Sequence, residues 1–238
     1  MQLKDYILGA IKKNPNLHWM LSQIKLSPTG FIFSVLYAIY LTKAATGKFF
    51  PLRFIYRGKF IPVKINKSTG GQILIRDKII IESGGQGSNP ISLSIGRGAQ
   101  LIFDGEFVIG PGCVISVASG ALVKFQGRLE STGSGMTADT RIMAAKSIIV
   151  GHDCIIAWGC SISDSNWHEL SGSQKCSPVV IGNHVWIGHD VTVLPGADLG
   201  NGCVIGAKSL VLGRKYQPLS LLAGNPARVI RENVTWSR

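Results

Sequence analysis

The chain has 238 residues, 29 of them glycine and only 16% charged, and a formal net charge of +12. This length allows one or two domains with a sizeable core, and the composition favours a β-rich protein because helix-forming Ala/Glu runs are absent. The positive charge is concentrated in residues 1–67, where eleven Lys and Arg stand against one acid. The basicity therefore belongs to the N-terminal part of the chain.

Residues 1–50 are predicted to be helical, and no signal peptide is evident because the first 20 residues lack an apolar core and a cleavage site. Phe31–Leu41 is an apolar run of eleven residues flanked by basic ones, too short for a membrane span of about 20. Two interpretations of segment 1–67 stay open: a cap on the first coil of the following domain, or contact with an anionic membrane surface. Nucleic-acid binding is disfavoured because the aromatic residues do not alternate with the basic ones.

A six-residue repeat runs from Ile181 to Leu212, with an aliphatic residue opening each block and glycine often following it. Neither strands nor α-helices repeat every six residues, so the period indicates a hexapeptide-repeat parallel β-helix. Three blocks make one coil, which predicts that Ile187 stacks on Ile205 and that Val193 stacks on Val211. The block openers are Ile181, Ile187, Val193, Leu199, Ile205 and Val211.

The predicted β-helix domain spans residues 68–212, and residues 213–238 form a tail that leaves the repeat. The six-residue repeat becomes irregular at 127–143 and is absent at 164–178, where we predict a loop that projects from one coil. Insertions of this kind collect on one face of a solenoid, often the binding face. Four cysteines occupy the small inward slot of the repeat and are predicted to be buried free thiols, which favours a reducing cytoplasm. They are Cys113, Cys154, Cys160 and Cys203.

The excursion 164–178 carries His168, the candidate general base. An imidazole titrates near neutral pH and can take the proton of an attacking hydroxyl. Its second nitrogen needs a partner to fix the tautomer, and Asp164 or Glu169 could supply a carboxylate.

Several segments resemble the hexapeptide-repeat acyltransferases, in particular the galactoside/maltose O-acetyltransferase branch, which includes O-acetyltransferases of polysaccharide biosynthesis. The resemblance implies a left-handed parallel β-helix, a homotrimer with sites between neighbouring subunits, acetyl-CoA as co-substrate, and His168 as catalytic base. The segments are the blocks 150–211, the loop residues 167–170, the run 178–188 and the tail 223–231.

The same resemblance implies a set of cofactor contacts. Trp186 lines the site, His189 follows the Gly188 of its motif where a small residue is more usual, and Ala207 contacts the cofactor. Arg228 and Arg231 lie near the CoA phosphates. The family has Thr-Lys-Asp shortly after the repeat, whereas this chain has Gly213-Arg214-Lys215, so the basic partner is shifted to Arg214 and Lys215. Arginine can meet a phosphate through two hydrogen bonds.

Acceptor recognition is assigned to Asp153, Trp158 and Trp167, which are outward or loop positions near the excursion. The acceptor is predicted to be a sugar hydroxyl, in a surface polysaccharide or a lipid-linked glycan. We expect a cytoplasmic protein, peripheral to the inner membrane face, with no resident metal. Two alternatives remain: an inactive scaffold with a degenerate site, and a zinc enzyme related to gamma-class carbonic anhydrases. Residues 1–90 lack the Gly-rich nucleotide-binding domain of a sugar-nucleotide pyrophosphorylase.

Overall fold

The computed structural model describes residues 28–83, 87–128, 133–169 and 175–238. These residues form one helix, α1 (Pro28–Thr46), followed by a parallel β-helix with three faces, sheets A, B and C. Sheet A contains β1 (Phe54–Arg57), β4 (Ile79–Glu82), β7 (Phe107–Ile109), β10 (Ser134–Met136), β13 (Ile155–Ile156), β16 (Trp186–Ile187), β19 (Val204–Ile205), β22 (Leu221–Gly224) and β23 (Ala227–Arg231). Sheet B contains β2 (Val63–Lys67), β5 (Ile91–Ile95), β8 (Val114–Val117), β11 (Arg141–Ala144), β14 (Ser161–Ser163), β17 (Thr192–Val193) and β20 (Leu210–Val211). Sheet C contains β3 (Gln72–Ile75), β6 (Gln100–Phe103), β9 (Leu122–Phe125), β12 (Ser147–Val150), β15 (Val179–Ile181), β18 (Asp198–Leu199) and β21 (Lys215–Tyr216).

The chain passes from sheet A to B to C and back to A, so each coil has three corners, which we name AB, BC and CA after the sheets they join. The register agrees with the six-residue repeat: Ile187 pairs with Ile205, and Val193 pairs with Val211, as predicted. Glycine is needed at position 188 because a Cβ there would lie 2.8 Å from the backbone nitrogen of Ala207 in the next coil. The six-residue period therefore reflects one strand and one corner per block.

Alternating side chains of every face fill a narrow core along the axis of the β-helix. Near β6, β7 and β9 the core contains a cluster of phenylalanines, with the Phe107 and Phe125 ring centroids 4.2 Å apart and Phe103 stacked on Phe125 at 4.9 Å. Further along, aliphatic residues take over, and Ile156, Ile187 and Ile205 are at most 1% exposed. Each row is continuous across coils, so burial of one strand depends on its neighbours.

The four cysteines of the repeat are buried and free, as predicted. Burial raises the pKa of Cys113 and of Cys154 to about 12 and that of Cys160 to about 11, because the thiolate would lose its solvation. These thiols therefore stay protonated at neutral pH and serve as small core residues.

Helix α1 packs across the open end of the first coil. Its Ala38, Leu41 and Ala45 are 3%, 0% and 2% exposed, and the Lys67 ammonium of β2 donates to the Ala45 carbonyl at 2.8 Å. The described helix contains the apolar run Phe31–Leu41; the rest of the helix predicted over 1–50 is either outside the described residues, at 1–27, or non-helical, at 47–50.

The β-helix extends beyond both predicted boundaries. Strands β1 and β2 lie inside segment 1–67, because Phe54 and Tyr56 alternate inward although no hexapeptide is legible there. Strands β10 and β11 lie inside the weak stretch 127–143. At the other end β21 and β22 continue the coils past residue 212, and β23 turns back antiparallel to β22.

The C-terminal tail then runs back along the CA corners. The Val234 amide donates to the Leu219 carbonyl at 2.9 Å, Trp236 stacks on His184, and the Arg238 guanidinium donates to the Gly133 carbonyl. These partners belong to corners of successively earlier coils.

Candidate active site

The excursion leaves the β-helix at the BC corner between β14 and β15. The register offset from Ile156 to Ile187 is 31 residues, against 18 from Ile187 to Ile205, so one coil carries the whole insertion. Ser165 and Cys176 form an antiparallel bridge, and the Asn166 amide donates to the Lys175 carbonyl at 3.0 Å. The insertion therefore begins as a short two-stranded stem that projects from the corner.

His168 follows this stem and its side chain is exposed. The preceding Trp167 has a left-handed backbone, with φ of 60°, and its amide donates to the Ser165 hydroxyl at 3.0 Å. This turn carries His168 away from the coil, and residues 170–174 beyond it are outside the described part of the chain. An exposed imidazole on such a projection can reach a substrate or a neighbouring molecule.

Asp164 lies at the base of the stem and is completely buried. One carboxylate oxygen accepts a hydrogen bond from the Ala145 amide at 2.6 Å, and the other accepts from Lys146 at 2.8 Å and Ser147 at 2.5 Å. Both oxygens thus bind the BC corner of the preceding coil, whereas we predicted a contact with His168. Asp164 holds the stem, and of the two predicted carboxylates only that of Glu169 is exposed beside His168.

Several predicted cofactor residues line up along the AB corners. The His189 ring stacks on Trp158 with centroids 4.9 Å apart and planes 4° apart, and its Nδ1 lies 3.0 Å from Asp190 Oδ2. Ala207 occupies the equivalent corner of the next coil, where the Lys208 amide donates to the His189 carbonyl at 2.9 Å. The stack explains how the bulky His189 is accommodated: its ring lies against the indole of the coil before.

The AB line continues into the turn between β22 and β23. The Gly224 amide donates to the Ser209 hydroxyl at 3.1 Å, which fixes this turn against the corner of the preceding coil. Arg228 and Arg214 both donate to the Ala227 carbonyl, at 3.1 and 3.3 Å. The line from His189 through Ala207 therefore ends at two guanidinium groups.

Two other predicted basic contacts lie elsewhere. Lys215 is exposed on β21 of sheet C, a different face of the prism. Arg231 is opposite Leu221 at the far end of the β22–β23 pair, toward the CA corner. The structure groups Arg214 and Arg228 and leaves Lys215 and Arg231 outside that group.

Trp186 points outward from sheet A and is 43% exposed. Its ring centroid is 6.0 Å from that of Trp236, which stacks on His184 at 4.1 Å. The Trp236 indole N–H donates to the His184 carbonyl at 3.0 Å, and His184 Nε2 lies 3.1 Å from the Trp236 carbonyl. Trp236 was not among the predicted site residues. The sequence signal that could have indicated it is a single tryptophan in an otherwise polar tail.

The three predicted acceptor residues occupy three different corners. Trp158 is at an AB corner, Trp167 is on the excursion at the BC corner, and Asp153 is at a CA corner, where it pairs with Arg128 at 3.4 Å. They do not line one sugar site within a single chain.

A triangular cross-section also separates the two halves of the predicted site. Each corner of such a prism is opposite the remaining sheet, so the excursion at the BC corner faces away from sheet A and Trp186. One chain therefore presents His168 and Trp186 on opposite sides. A second copy could bring its excursion to the sheet A of the first.

The three histidines that a zinc enzyme could use as ligands lie apart in this structure. His152 and His184 lie at CA corners, whereas His189 lies at an AB corner, and each ring contacts a residue of its own corner or of the tail. Within the described ranges no group of three or more His, Cys, Asp or Glu is arranged to hold a metal ion.

Residues 178–213 match the family model described as bacterial transferase hexapeptide (six repeats). A protein of Escherichia coli (strain K12), WbbJ, provisionally named a lipopolysaccharide biosynthesis O-acetyl transferase, is 36% identical over 38% of this chain and 53% of its own length. A chloramphenicol acetyltransferase of Klebsiella aerogenes is 44% identical over 28% of this chain and 31% of its own length. The chain thus spans about half of the first relative and about a third of the second.

Among solved structures, the polysialic acid O-acetyltransferase OatWY has 25% sequence identity and a TM-score of 0.48, with 77% of this chain and 92% of that chain covered. The repeat model falls on the coils that follow the excursion, and the relatives that match are named acetyltransferases. The chain thus folds as a left-handed parallel β-helix, and its residues 178–213 carry the hexapeptide repeat of bacterial transferases.

Proposed function

We propose that the protein is an O-acetyltransferase that moves an acetyl group from acetyl-CoA to a sugar hydroxyl. Two observations together carry this proposal: an exposed imidazole on a projecting stem, and an elongated line of corner residues that ends at two arginines. CoA is a long ligand with phosphates at one end, which suits a line from His189 through Ala207 to Arg214 and Arg228. Guanidinium groups bind phosphate oxygens with paired hydrogen bonds.

In the proposed reaction, His168 accepts the proton of the sugar hydroxyl while that oxygen bonds to the acetyl carbonyl carbon. The carbon–sulfur bond of the thioester breaks, and the proton passes from His168 to the departing sulfur. Direct transfer needs only the hydroxyl, the thioester and the imidazole within hydrogen-bond reach. Glu169 is the proposed partner for the second imidazole nitrogen, because both oxygens of Asp164 already accept backbone hydrogen bonds.

We propose a homotrimer with the site between subunits, because His168 and Trp186 face opposite sides of one prism. Closed cyclic symmetry would give every subunit the same pair of contacts. The acceptor is proposed to be a cell-surface glycan, possessing many free hydroxyls, in line with the name of the Escherichia coli relative. A cytoplasmic location at the inner membrane face would supply acetyl-CoA and keep Cys154 and Cys160 reduced.

The first test is His168→Ala assayed for acetyl-CoA consumption across free sugars, nucleotide sugars and lipid-linked glycans. Turnover should fall at least about a hundredfold, since general bases contribute roughly 10²–10⁴-fold. Acetyl-CoA at 100 times its Kd should still stabilise the variant, as it does the wild type, by about 2.7 kcal/mol.

Asn166→Ala, which removes an exposed side chain of the same stem, is the matched control and should keep its activity. Wild-type activity in His168→Ala would contradict the mechanism. No stabilisation of the wild-type protein by acetyl-CoA would favour the inactive scaffold instead.

A further inference from the structure

The outer face of the cap carries several large apolar side chains that are exposed to solvent. Helix α1 buries one side against the first coil, where the Tyr37 hydroxyl donates to the Val63 carbonyl at 3.1 Å and the Arg53 amide donates to the Thr42 hydroxyl at 3.1 Å. The opposite side carries large side chains that face solvent. We call these residues, together with three neighbouring phenylalanines, the cap face: Ile32, Phe33, Leu36, Tyr40, Phe49, Phe50 and Phe60.

Exposure across the cap face is high. Ile32 and Phe33 are 57% and 53% exposed, Leu36 and Tyr40 are each 61% exposed, and Phe50 is 67% exposed. Ring contacts join the helix to the following loop, since the centroids of Phe33 and Phe60 are 5.0 Å apart. Large contiguous apolar surfaces are uncommon on soluble monomers and mark contact with a partner or a membrane.

The charge around the cap face has one sign. The sequence from Pro28 to Arg76 contains no Asp or Glu, and it contains eight Lys or Arg. Four exposed lysines surround the cap face, and none forms an ion pair with a carboxylate in the part of the chain that the structure describes: Lys43, Lys48, Lys59 and Lys64. The Lys43 ammonium lies 4.9 Å from the ring centroid of Phe49, so charge and apolar surface are intermixed.

We propose that the cap face docks on an anionic lipid bilayer, with α1 lying in the plane of the membrane surface. Apolar side chains would enter the boundary between headgroups and acyl chains, while the lysines meet lipid phosphates or carboxylates. A second copy is a poorer occupant, because pairing two cap faces would bring two sets of lysines together without an acid. No described helix is both long and apolar enough to cross a membrane.

The experiment is flotation of the full chain with vesicles of phosphatidylcholine alone and with about one third phosphatidylglycerol, at low and high salt. The wild-type protein should float with the anionic vesicles and bind neutral ones more weakly. Leu36→Glu should lower the partition coefficient about tenfold, since burial of one leucine side chain is lost. Lys48→Glu and Lys59→Glu should each lower it roughly fivefold at low salt and less at high salt.

Ile230→Glu is the matched control, because Ile230 is also 61% exposed and lies on β23, at the opposite end of the β-helix. It should bind vesicles as the wild type does. The proposal is overturned if the wild type does not float with anionic vesicles, or if Leu36→Glu and Ile230→Glu bind equally. It is likewise overturned if Leu36→Glu leaves flotation unchanged but alters the mass measured by light scattering, which would identify a second copy as the occupant. Both variants replace exposed side chains, and circular dichroism verifies that they fold.

Discussion

At the scale of single residues, Asp164 shows how a buried side chain can hold a projecting segment in place. Its buried carboxylate accepts three backbone hydrogen bonds from residues 145–147. Hydrogen bonds to a charged group contribute about 1.5–3 kcal/mol each, and a buried amide left unpaired adds a further cost. This side chain therefore ties the base of the excursion to the preceding coil.

We expect Asp164→Ala to lower the free energy of unfolding by about 3 kcal/mol, because three buried amides lose their acceptor. Urea denaturation followed by circular dichroism measures this change. Ser163→Ala is the control: its half-buried hydroxyl bonds the Ser165 backbone, and its loss should cost about 1 kcal/mol. Equal stability of Asp164→Ala and the wild type would show that the amides find other partners.

The residue scale is also where sequence reasoning reached least far. His168 could be singled out because it sits in the interruption of a strict repeat, but its relation to Asp164 could not, since the three amides belong to a corner 17 to 19 residues earlier. Trp158 and Asp153 looked like neighbours of the excursion in sequence, yet five residues are enough to move from a CA corner to an AB corner. Spacing along the chain does not give spacing around a prism.

At the scale of elements, the C-terminal tail adds an aromatic group that the coils themselves do not provide. Trp236 stacks on His184, exchanges two hydrogen bonds with that residue, and lies beside Trp186. The tail thereby supports the corner from which Trp186 leaves sheet A.

Trp236→Ala should lower the free energy of unfolding by about 1–2 kcal/mol, from the lost ring contact and its buried area. Guanidinium denaturation measures it. Trp167→Ala provides the comparison, because that indole is 45% exposed and has no ring partner among the described residues; its effect should stay near zero. Similar losses in both variants would mean that the Trp236 stack adds nothing to stability.

Elements were predictable where the repeat is strict and were missed where it is not. Residues 181–212 fix strands β15 to β20 because each block places one aliphatic residue inward, and the predicted pairs Ile187–Ile205 and Val193–Val211 are confirmed. Strands β1, β10 and β11 were missed because their coils contain insertions that break the six-residue period, although inward alternation persists. A buried core requires only that side chains alternate between inward and outward positions along each strand. A strict six-residue repeat is needed only where the corners between strands are short.

At the scale of the whole molecule, a trimer with composite sites predicts complementation. His168→Ala and Trp186→Ala should each be weakly active, yet mixed trimers should contain clefts with an intact His168 from one chain and an intact Trp186 from its neighbour. When equal amounts assemble at random, each of the two residues is intact in half of the clefts. About a quarter of the clefts then have both residues intact, so about a quarter of the wild-type activity should return. Co-expression followed by acetyl-CoA turnover measures this.

The baseline is the activity of trimers that contain only His168→Ala chains or only Trp186→Ala chains. Asn166→Ala cannot replace either variant in the mixture, because it is expected to be active by itself. Activity of the mixture no higher than the average of the two single variants would mean that both residues act within one chain, and light scattering would verify the oligomer in each sample.

The two proposals together fix the height of the site above a membrane. Strand β16 is the fifth neighbour of β1 within sheet A, and adjacent strands are about 4.8 Å apart. Trp186 would then lie roughly 24 Å from the first coil, which suits an acceptor sugar several units away from a lipid anchor.

The path of the tail alters how the coils come apart. In a solenoid each turn contacts only the adjacent ones, so the last turn can fray independently of the rest. Here the C-terminal tail is bonded to three successively earlier coils. Val234 contacts Leu219, Trp236 contacts His184, and Arg238 contacts Gly133. Unfolding from the C-terminal end must first break these tail contacts. While they hold, the last coils and the coil that carries the excursion unfold together. A change that weakens the tail should therefore also destabilise the coil below the excursion.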